Sequence, residues 1–273
     1  MHAYGPDLLL ARGTATPRSA PATSAAPADA PAPPPPAAVA PAAPPAEPRA
    51  AVPALATPPA PGDTANTAAP ADRAAAAAAA LQELRKEVLP CTRCKLHDSR
   101  RHVVFGEGNP TARVLFIGEA PGATEDQTGR PFVGAAGQLL DRIVQGAMGL
   151  QRSDVYIANI NKCRPPGNRE PAPDEVAACL PFLHRQVEIL RPEVIVCLGR
   201  VAAQNLLGTT ESAGRLRGRT LDYQGIPVIV TWHPSYLLRD ESADKVHKRE
   251  TWEDIKRVNR LLGLPEVPSR PGS

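Results

Sequence analysis

From Val114 onward, short runs of consecutive apolar residues alternate with longer stretches in which apolar positions recur every three or four residues. The runs Val114 to Gly118, Val155 to Asn159, Val194 to Gly199 and Val228 to Trp232 are rich in β-branched residues and nearly free of charge, the pattern of strands covered on both faces. Between and after them, Gly137 to Met148, Asp174 to Leu190, Val201 to Leu207 and Lys245 to Leu262 carry helical spacing. An earlier stretch, Ala74 to Leu89, is built from good helix formers and stopped by Pro90. Strand and helix in alternation predict an α/β fold: a central, mostly parallel four-stranded sheet with helices on both faces, in one domain spanning residues 73–264. No internal repeat interrupts this order.

The segment before the domain changes the picture of the chain as a whole. Of the 33 prolines in 273 residues, 18 lie between Pro6 and Pro70, among alanines. Such a segment buries too little apolar surface to offset its ordering entropy, so residues 1–72 are expected to be a disordered Ala/Pro-rich tail, and 265–273 a disordered C-terminus. The tail is either a partner-binding arm or an over-extended start. Leu8-Leu9-Leu10 is too short for a signal sequence and no run is long enough to span a membrane, so the expected location is the cytoplasm. A net charge of +3 is compatible with a phosphate-backbone partner but does not argue for one.

Five cysteines in such a chain point to ligands or core thiols sooner than to disulfides. Cys91 and Cys94 form a Cys-x2-Cys pair, and Cys163 and Cys179 bracket the loop from Arg164 to Ala178, with Cys179 inside a predicted helix. Arg93, Lys95, Lys162 and Arg164 flank them in sequence, as thiolates require. The spacing leaves zinc and a 4Fe-4S cluster equally open. Cys197, inside the run Val194 to Gly199, reads as a core residue.

The loop after the first predicted strand carries the densest candidate chemistry. Gly118-Glu119-Ala120-Pro121-Gly122 is followed by Glu125-Asp126 and then by Pro131-Phe132-Val133-Gly134. Glycines, acids and a lone aromatic after a buried strand have the layout of a site at the carboxyl edge of an α/β sheet. With Asn159-Ile160-Asn161-Lys162-Cys163-Arg164-Pro165-Pro166-Gly167-Asn168-Arg169, His233-Pro234-Ser235 and the cysteine spacing, the chain resembles the uracil-DNA glycosylase superfamily, and within it the iron-sulfur family 4 enzymes of bacteria and archaea. The resemblance covers about residues 77–262.

That resemblance implies a three-layer α/β/α sandwich and a 4Fe-4S cluster, mainly structural, on Cys91, Cys94, Cys163 and Cys179. A base inside a duplex must be flipped out before its glycosidic bond is reached. Phe132 matches the aromatic on which the flipped base stacks, and Asn159 the amide that donates to uracil O4 and accepts from N3–H, a pattern cytosine does not present. Glu125 matches a residue beside uracil C5. His233 matches the donor to uracil O2, placed to stabilise the charge on the departing base. In Tyr236-Leu237-Leu238-Arg239, Leu237 or Leu238 would fill the vacated stack, while Arg239 and Ser235 would meet phosphate. Arg200 is a further phosphate candidate.

Where classical members of the superfamily carry an Asp to orient water, this chain has Ala120. The expected route is therefore dissociative: the bond to uracil breaks first, and water held by the loop from Glu119 to Gly122, Ala120 included, adds to the sugar. Glu119 would stabilise the cationic sugar or orient that water. Cys163 to Asn168 lacks the inserted basic, histidine-bearing loop of relatives that become trapped on the abasic product, so turnover is expected. The predicted function is monofunctional removal of uracil from single- and double-stranded DNA in base excision repair, by a monomer, with a tail-bound partner open. The competing reading is a non-catalytic iron-sulfur protein that binds nucleic acid, or a crosslinking relative.

Overall fold

The computed structural model describes residues 70–240 and 245–265. The expected N-terminal tail, apart from its last three residues, and the C-terminus beyond Pro265 lie outside the described residues. The first helix, α1 (Pro70–Val88), opens three residues inside the stretch assigned to the tail. Among the described residues no helix is long and apolar enough to cross a membrane.

The sheet has six strands where the apolar pattern predicted four. In chain order these are β1 (Glu107–Gly108), β2 (Val114–Gly118), β3 (Tyr156–Asn159), β4 (Val194–Leu198), β5 (Thr220–Tyr223) and β6 (Ile226–Thr231). They lie side by side as β1-β3-β2-β4-β6-β5. The four predicted strands form the parallel centre, and the two additional ones are antiparallel edges. Both edges escape an apolar-run search for a physical reason. β1 is two residues long and polar, and three of the four residues of β5 are not buried. β5 joins β6 through Gln224-Gly225, both with positive φ (54° and 82°), a two-residue hairpin turn that suits the twist of the flanking strands.

Side chains alternate across the sheet and divide the core into two layers. On one face Leu115, Ile117, Ala158, Ile195, Cys197, Val228 and Val230 pack with α1, α4 (Pro173–Leu190) and α5 (Arg200–Leu207). On the other, Val114, Phe116, Ile157, Val194, Val196, Leu198 and Ile229 pack with α3 (Ala135–Met148) and α8 (Val246–Leu262). The three-layer α/β/α arrangement follows directly, and Cys197, fully buried on β4, is a core residue as expected.

Every parallel strand points its carboxyl end the same way. In the register of β2 with β3, Gly118 lies opposite Asn159, and β6 ends two residues before His233. Three short helical elements complete that edge: α2 (Ala123–Thr128), the four-residue α6 (Ala213–Leu216) toward β5, and α7 (Pro234–Arg239).

Candidate active site and cysteine cavity

The loop between α2 and α3 carries Phe132 in a left-handed conformation (φ 49°) with its side chain buried. That backbone region is costly for a bulky residue and persists only where the surroundings enforce it. They do so from two sides. Glu125 Oε1 accepts from the backbone N–H groups of Val133 (2.9 Å) and Gly134 (2.8 Å). Arg152 donates to the carbonyls of Phe132 (3.0 Å) and Pro131. Gly137 is required beneath the loop, because a Cβ there would lie 1.9 Å from the Phe132 carbonyl oxygen.

The Phe132 ring faces His233, with centroids 5.7 Å apart and planes tilted by 37°. Its edge and the Asn159 side chain both close over Gly118, where an added Cβ would come within 2.5 Å of Phe132 Cζ and 2.4 Å of Asn159 Oδ1. Asn159 is buried, and its Oδ1 has no hydrogen-bond partner. An unsatisfied buried acceptor is costly and calls for a ligand or water to complete it. Asn161, the other asparagine of the motif, also has an unpartnered Oδ1, but its amide nitrogen is taken: it donates to the Glu175 carbonyl at 2.9 Å and ties β3 to α4.

His233 caps α7. The backbone N–H of Ser235 donates to its Nδ1 at 3.1 Å, and the Ser235 hydroxyl lies 2.7 Å from the same atom. Nδ1 is therefore the acceptor, which leaves Nε2 to carry the proton of a neutral ring. Burial, aided by the positive charge of Arg239 and opposed by Glu125, pulls the pKa down to about 4. Ser235, the residue expected to meet phosphate, also orients His233. Leu237 is only 2% exposed while Leu238 is 46% exposed, so of the two leucines Leu238 is the one free to leave the protein surface. Arg239 is exposed beside it.

Glu119 and Ala120 are half-buried at the end of β2. Burial, and then repulsion from Glu170, raise the pKa of Glu119 against the pull of Arg200. Arg200 itself is bound to Gln204 Oε1 at 3.0 Å and to the Glu170 carboxylate.

Cys91, Cys94, Cys163 and Cys179 line one cavity with Arg100, Lys162 and Phe182. All are free thiols, and among the described residues no three His, Cys, Asp or Glu side chains come together around a single-ion site. Donors nevertheless aim at sulfur: the Lys162 backbone N–H lies 3.2 Å from Cys179 Sγ and Arg100 Nη1 3.3 Å from Cys163 Sγ. Burial pushes the Cys94 and Cys163 thiols up, and Cys179 up to about 11. Of the four cations expected from sequence to neighbour sulfur, Arg93 lies over the Phe182 ring, Lys95 near Asp174 and Glu175, and Arg164 on Asn168. The guanidinium that reaches sulfur belongs to Arg100, nine residues after Cys91.

Lys162 links this cavity to Asn159. Its fully buried ammonium donates to the Asn159 carbonyl (2.8 Å) and to Gln186 Oε1 (2.6 Å), and burial lowers its pKa to about 8. Glu175, also fully buried, receives Arg169 in bidentate fashion and the Ala172 N–H, which folds the loop between Cys163 and Cys179. Arg152 and Gln186 carried no signal in sequence. Each is an isolated polar residue whose partners are distant in the chain.

Residues 105–256 match the model of the uracil DNA glycosylase superfamily. The chain is 46% identical over 184 residues to the type-4 uracil-DNA glycosylase of Thermotoga maritima, covering 67% of this chain and 94% of that protein. It is 41% identical over 192 residues to the type-4 enzyme of Archaeoglobus fulgidus (67% and 94%). The type-5 uracil-DNA glycosylase of Pyrobaculum aerophilum is 34% identical over 147 residues, 48% of this chain and 64% of that protein.

Proposed function

The chain belongs to the uracil-DNA glycosylase superfamily, and we propose that it flips uracil out of single- or double-stranded DNA and hydrolyses its N-glycosidic bond, leaving an abasic site for base excision repair. Residues 73–264 form the catalytic unit of this reading, acting as a monomer. The observation that carries it is the buried, unpartnered Oδ1 of Asn159 beside the Phe132 ring. Uracil N3–H completes that acceptor while the amide nitrogen donates to O4. Cytosine, with an unprotonated N3 and an amino group at C4, leaves both ends of the amide mismatched, and sites of this kind discriminate by roughly 10^4-fold.

The bond to uracil breaks as negative charge gathers on the base. The neutral His233, with Nδ1 occupied by Ser235, presents Nε2–H to uracil O2 and stabilises that charge without a proton transfer. Glu119 faces the sugar as an anion and stabilises the cationic intermediate, and Ala120, without a carboxylate, leaves water to add afterwards from the loop Glu119–Gly122. Glu125 closes the pocket near C5 and anchors the Phe132 loop. Leu238 enters the stack that uracil vacates, and Arg239 meets the backbone phosphate.

Cys91, Cys94, Cys163 and Cys179 hold a 4Fe-4S cluster in this reading. The shared cavity and the donors on two of the sulfurs suit thiolate ligation. Bound there, the group contributes cross-links among the end of α1, the loop after β3 and α4, and no bond-making step. Release of free uracil from an oligonucleotide labelled in the uracil, and an alkali-labile strand from an end-labelled one, with Asn159→Ala as control, test the reading. Cluster-replete protein that leaves both uracil and the alkali-stable strand intact refutes it.

A further inference from the structure

Phe132 is the wall of the pocket, yet nothing in its own sequence neighbourhood keeps it there. It follows Pro131, precedes Val133 and Gly134, and its left-handed backbone (φ 49°) would relax to an extended form if the flanking peptide groups were released. The two N–H groups after it are held by Glu125. The two carbonyls on its other side are held by Arg152, from the turn before β3, which donates to Phe132 and Pro131.

Arg152 is itself fixed. Its Nη1 donates to Asp141 Oδ1 of α3 at 2.8 Å, and its Nε and Nη2 to Glu107 Oε1 of β1 at 3.0 and 2.8 Å. Only 20% of the side chain is exposed. A planar guanidinium with five donors in a fixed fork spans two carboxylates and two carbonyls at once, a pattern an ammonium cannot reproduce.

We infer that Arg152 is a positioning residue for base recognition: braced by Glu107 and Asp141, it grips the carbonyls of Pro131 and Phe132 and holds the Phe132 ring where the flipped base stacks. The inference rests on the proposed stacking role of Phe132. Arg152 touches neither base nor sugar, and acts only through the peptide groups it holds. A stacking wall sets the fraction of uracil that stays flipped, so its loss weighs more on paired uracil, which must also leave a base pair, than on uracil in a single strand.

The test is single-turnover excision at saturating enzyme, on duplex and single-stranded substrates, for the wild type, Arg152→Met, Phe132→Ala and the double variant. Arg152→Met is expected to slow duplex excision by about tenfold or more, with a smaller loss on single strands and little change in affinity for abasic-site DNA. In the Phe132→Ala background the same substitution should have almost no further effect, because the group it positions is gone. Arg152→Lys, which keeps charge but not the fork, should recover part of the loss. If Arg152→Met does not fold, Asp141→Asn loosens the same guanidinium from the α3 side and is expected to show the same duplex bias and the same non-additivity with Phe132→Ala. Additive losses, or equal losses on both substrates, overturn the inference. A wild type that releases no uracil in the same assay overturns the proposed function instead.

Discussion

Replacing Gly118 by alanine adds a single methyl group, and the structure says where it goes. The new Cβ would stand 2.4 Å from Asn159 Oδ1, 2.5 Å from Phe132 Cζ and 2.6 Å from Phe132 Cε2. Each separation is about an ångström inside ordinary contact between such atoms. The Asn159 amide can rotate away, but only by abandoning the orientation in which it is proposed to read a base edge. The Phe132 ring has less freedom. Its peptide groups are held by Glu125 and Arg152, its carbonyl rests on Gly137, and His233 faces the ring. The remaining route is a ring displaced toward the space the base must enter.

Overpacking at such sites costs about 1–3 kcal/mol. If the strain falls on the recognition geometry, kcat/KM for uracil in DNA drops by roughly 5- to 150-fold. Because the clash is confined to two side chains at the strand end, the melting temperature should fall by only a few degrees. Gly146→Ala supplies the comparison: no atom lies within 4 Å of its added Cβ, and in the body of α3 alanine should stabilise by about 1 kcal/mol with activity unchanged. Steady-state excision with a thermal melt of each variant decides the matter. A Gly118→Ala enzyme with wild-type kcat/KM would refute the claim that Asn159 and Phe132 share one pocket over this glycine.

Three further outcomes follow from the same geometry. His233, held neutral down to about pH 4, should give a pH profile of kcat/KM without the inflection near 6.5 of an ordinary imidazole. Because its folded pKa lies below the unfolded one, its contribution to stability is complete above about 6.5 and is lost as pH falls toward 4; an activity limb near 6.5 that vanishes in His233→Gln contradicts this. Glu119→Gln should lower turnover with DNA affinity unchanged, and should remove an acid limb lying above the usual carboxylate range, as its raised pKa requires; equal turnover rules Glu119 out of the chemistry. Cys163→Ala should lose iron, sulfide and visible absorbance, whereas Cys197→Ala, a change in the core of β4, should keep all three at a cost of about 1–2 kcal/mol in stability. Zinc in place of iron in the wild type would undo the assignment.

What could be read from sequence follows the range of the interactions involved. β2, β3, β4 and β6 announce themselves because burial on both faces forces unbroken apolar runs, and the helices because burial on one face forces a period. β1 and β5 face no such demand: each pairs on one side only, and polar residues suffice. Asn159 and His233 could be singled out because each lies at or within two residues of a strand end, and Phe132 because it is a lone aromatic in the glycine-flanked loop after α2. The cysteine set was legible by spacing, and Lys162 among its cations, but the guanidinium of Arg100 that bonds to sulfur was not, because adjacency in sequence does not aim a side chain. Between the alternatives Leu237 and Leu238 the motif could not choose, because which face a six-residue helix turns inward depends on what it packs against.

The most consequential miss has the same origin and says most about how the site works. Phe132 sits in its strained conformation because Glu125 and Arg152 hold its peptide groups and Glu107 and Asp141 brace Arg152, and these residues come from α2, the turn before β3, β1 and α3. Glu125 belongs to the motif after β2, but Arg152, Glu107 and Asp141 have no periodic or local signature, for a backbone carbonyl can be gripped by any donor the fold delivers. The same holds on the far side, where Lys162 grips the Asn159 carbonyl and borders the cysteine cavity. Phe132 and Asn159 are therefore held chiefly through their main-chain atoms, and the side chains proposed to meet uracil are only the lining of that frame. Disturbing the cysteine site should reach Asn159 through Lys162 while leaving the Phe132 wall in place, so cluster loss ought to impair edge reading sooner than stacking.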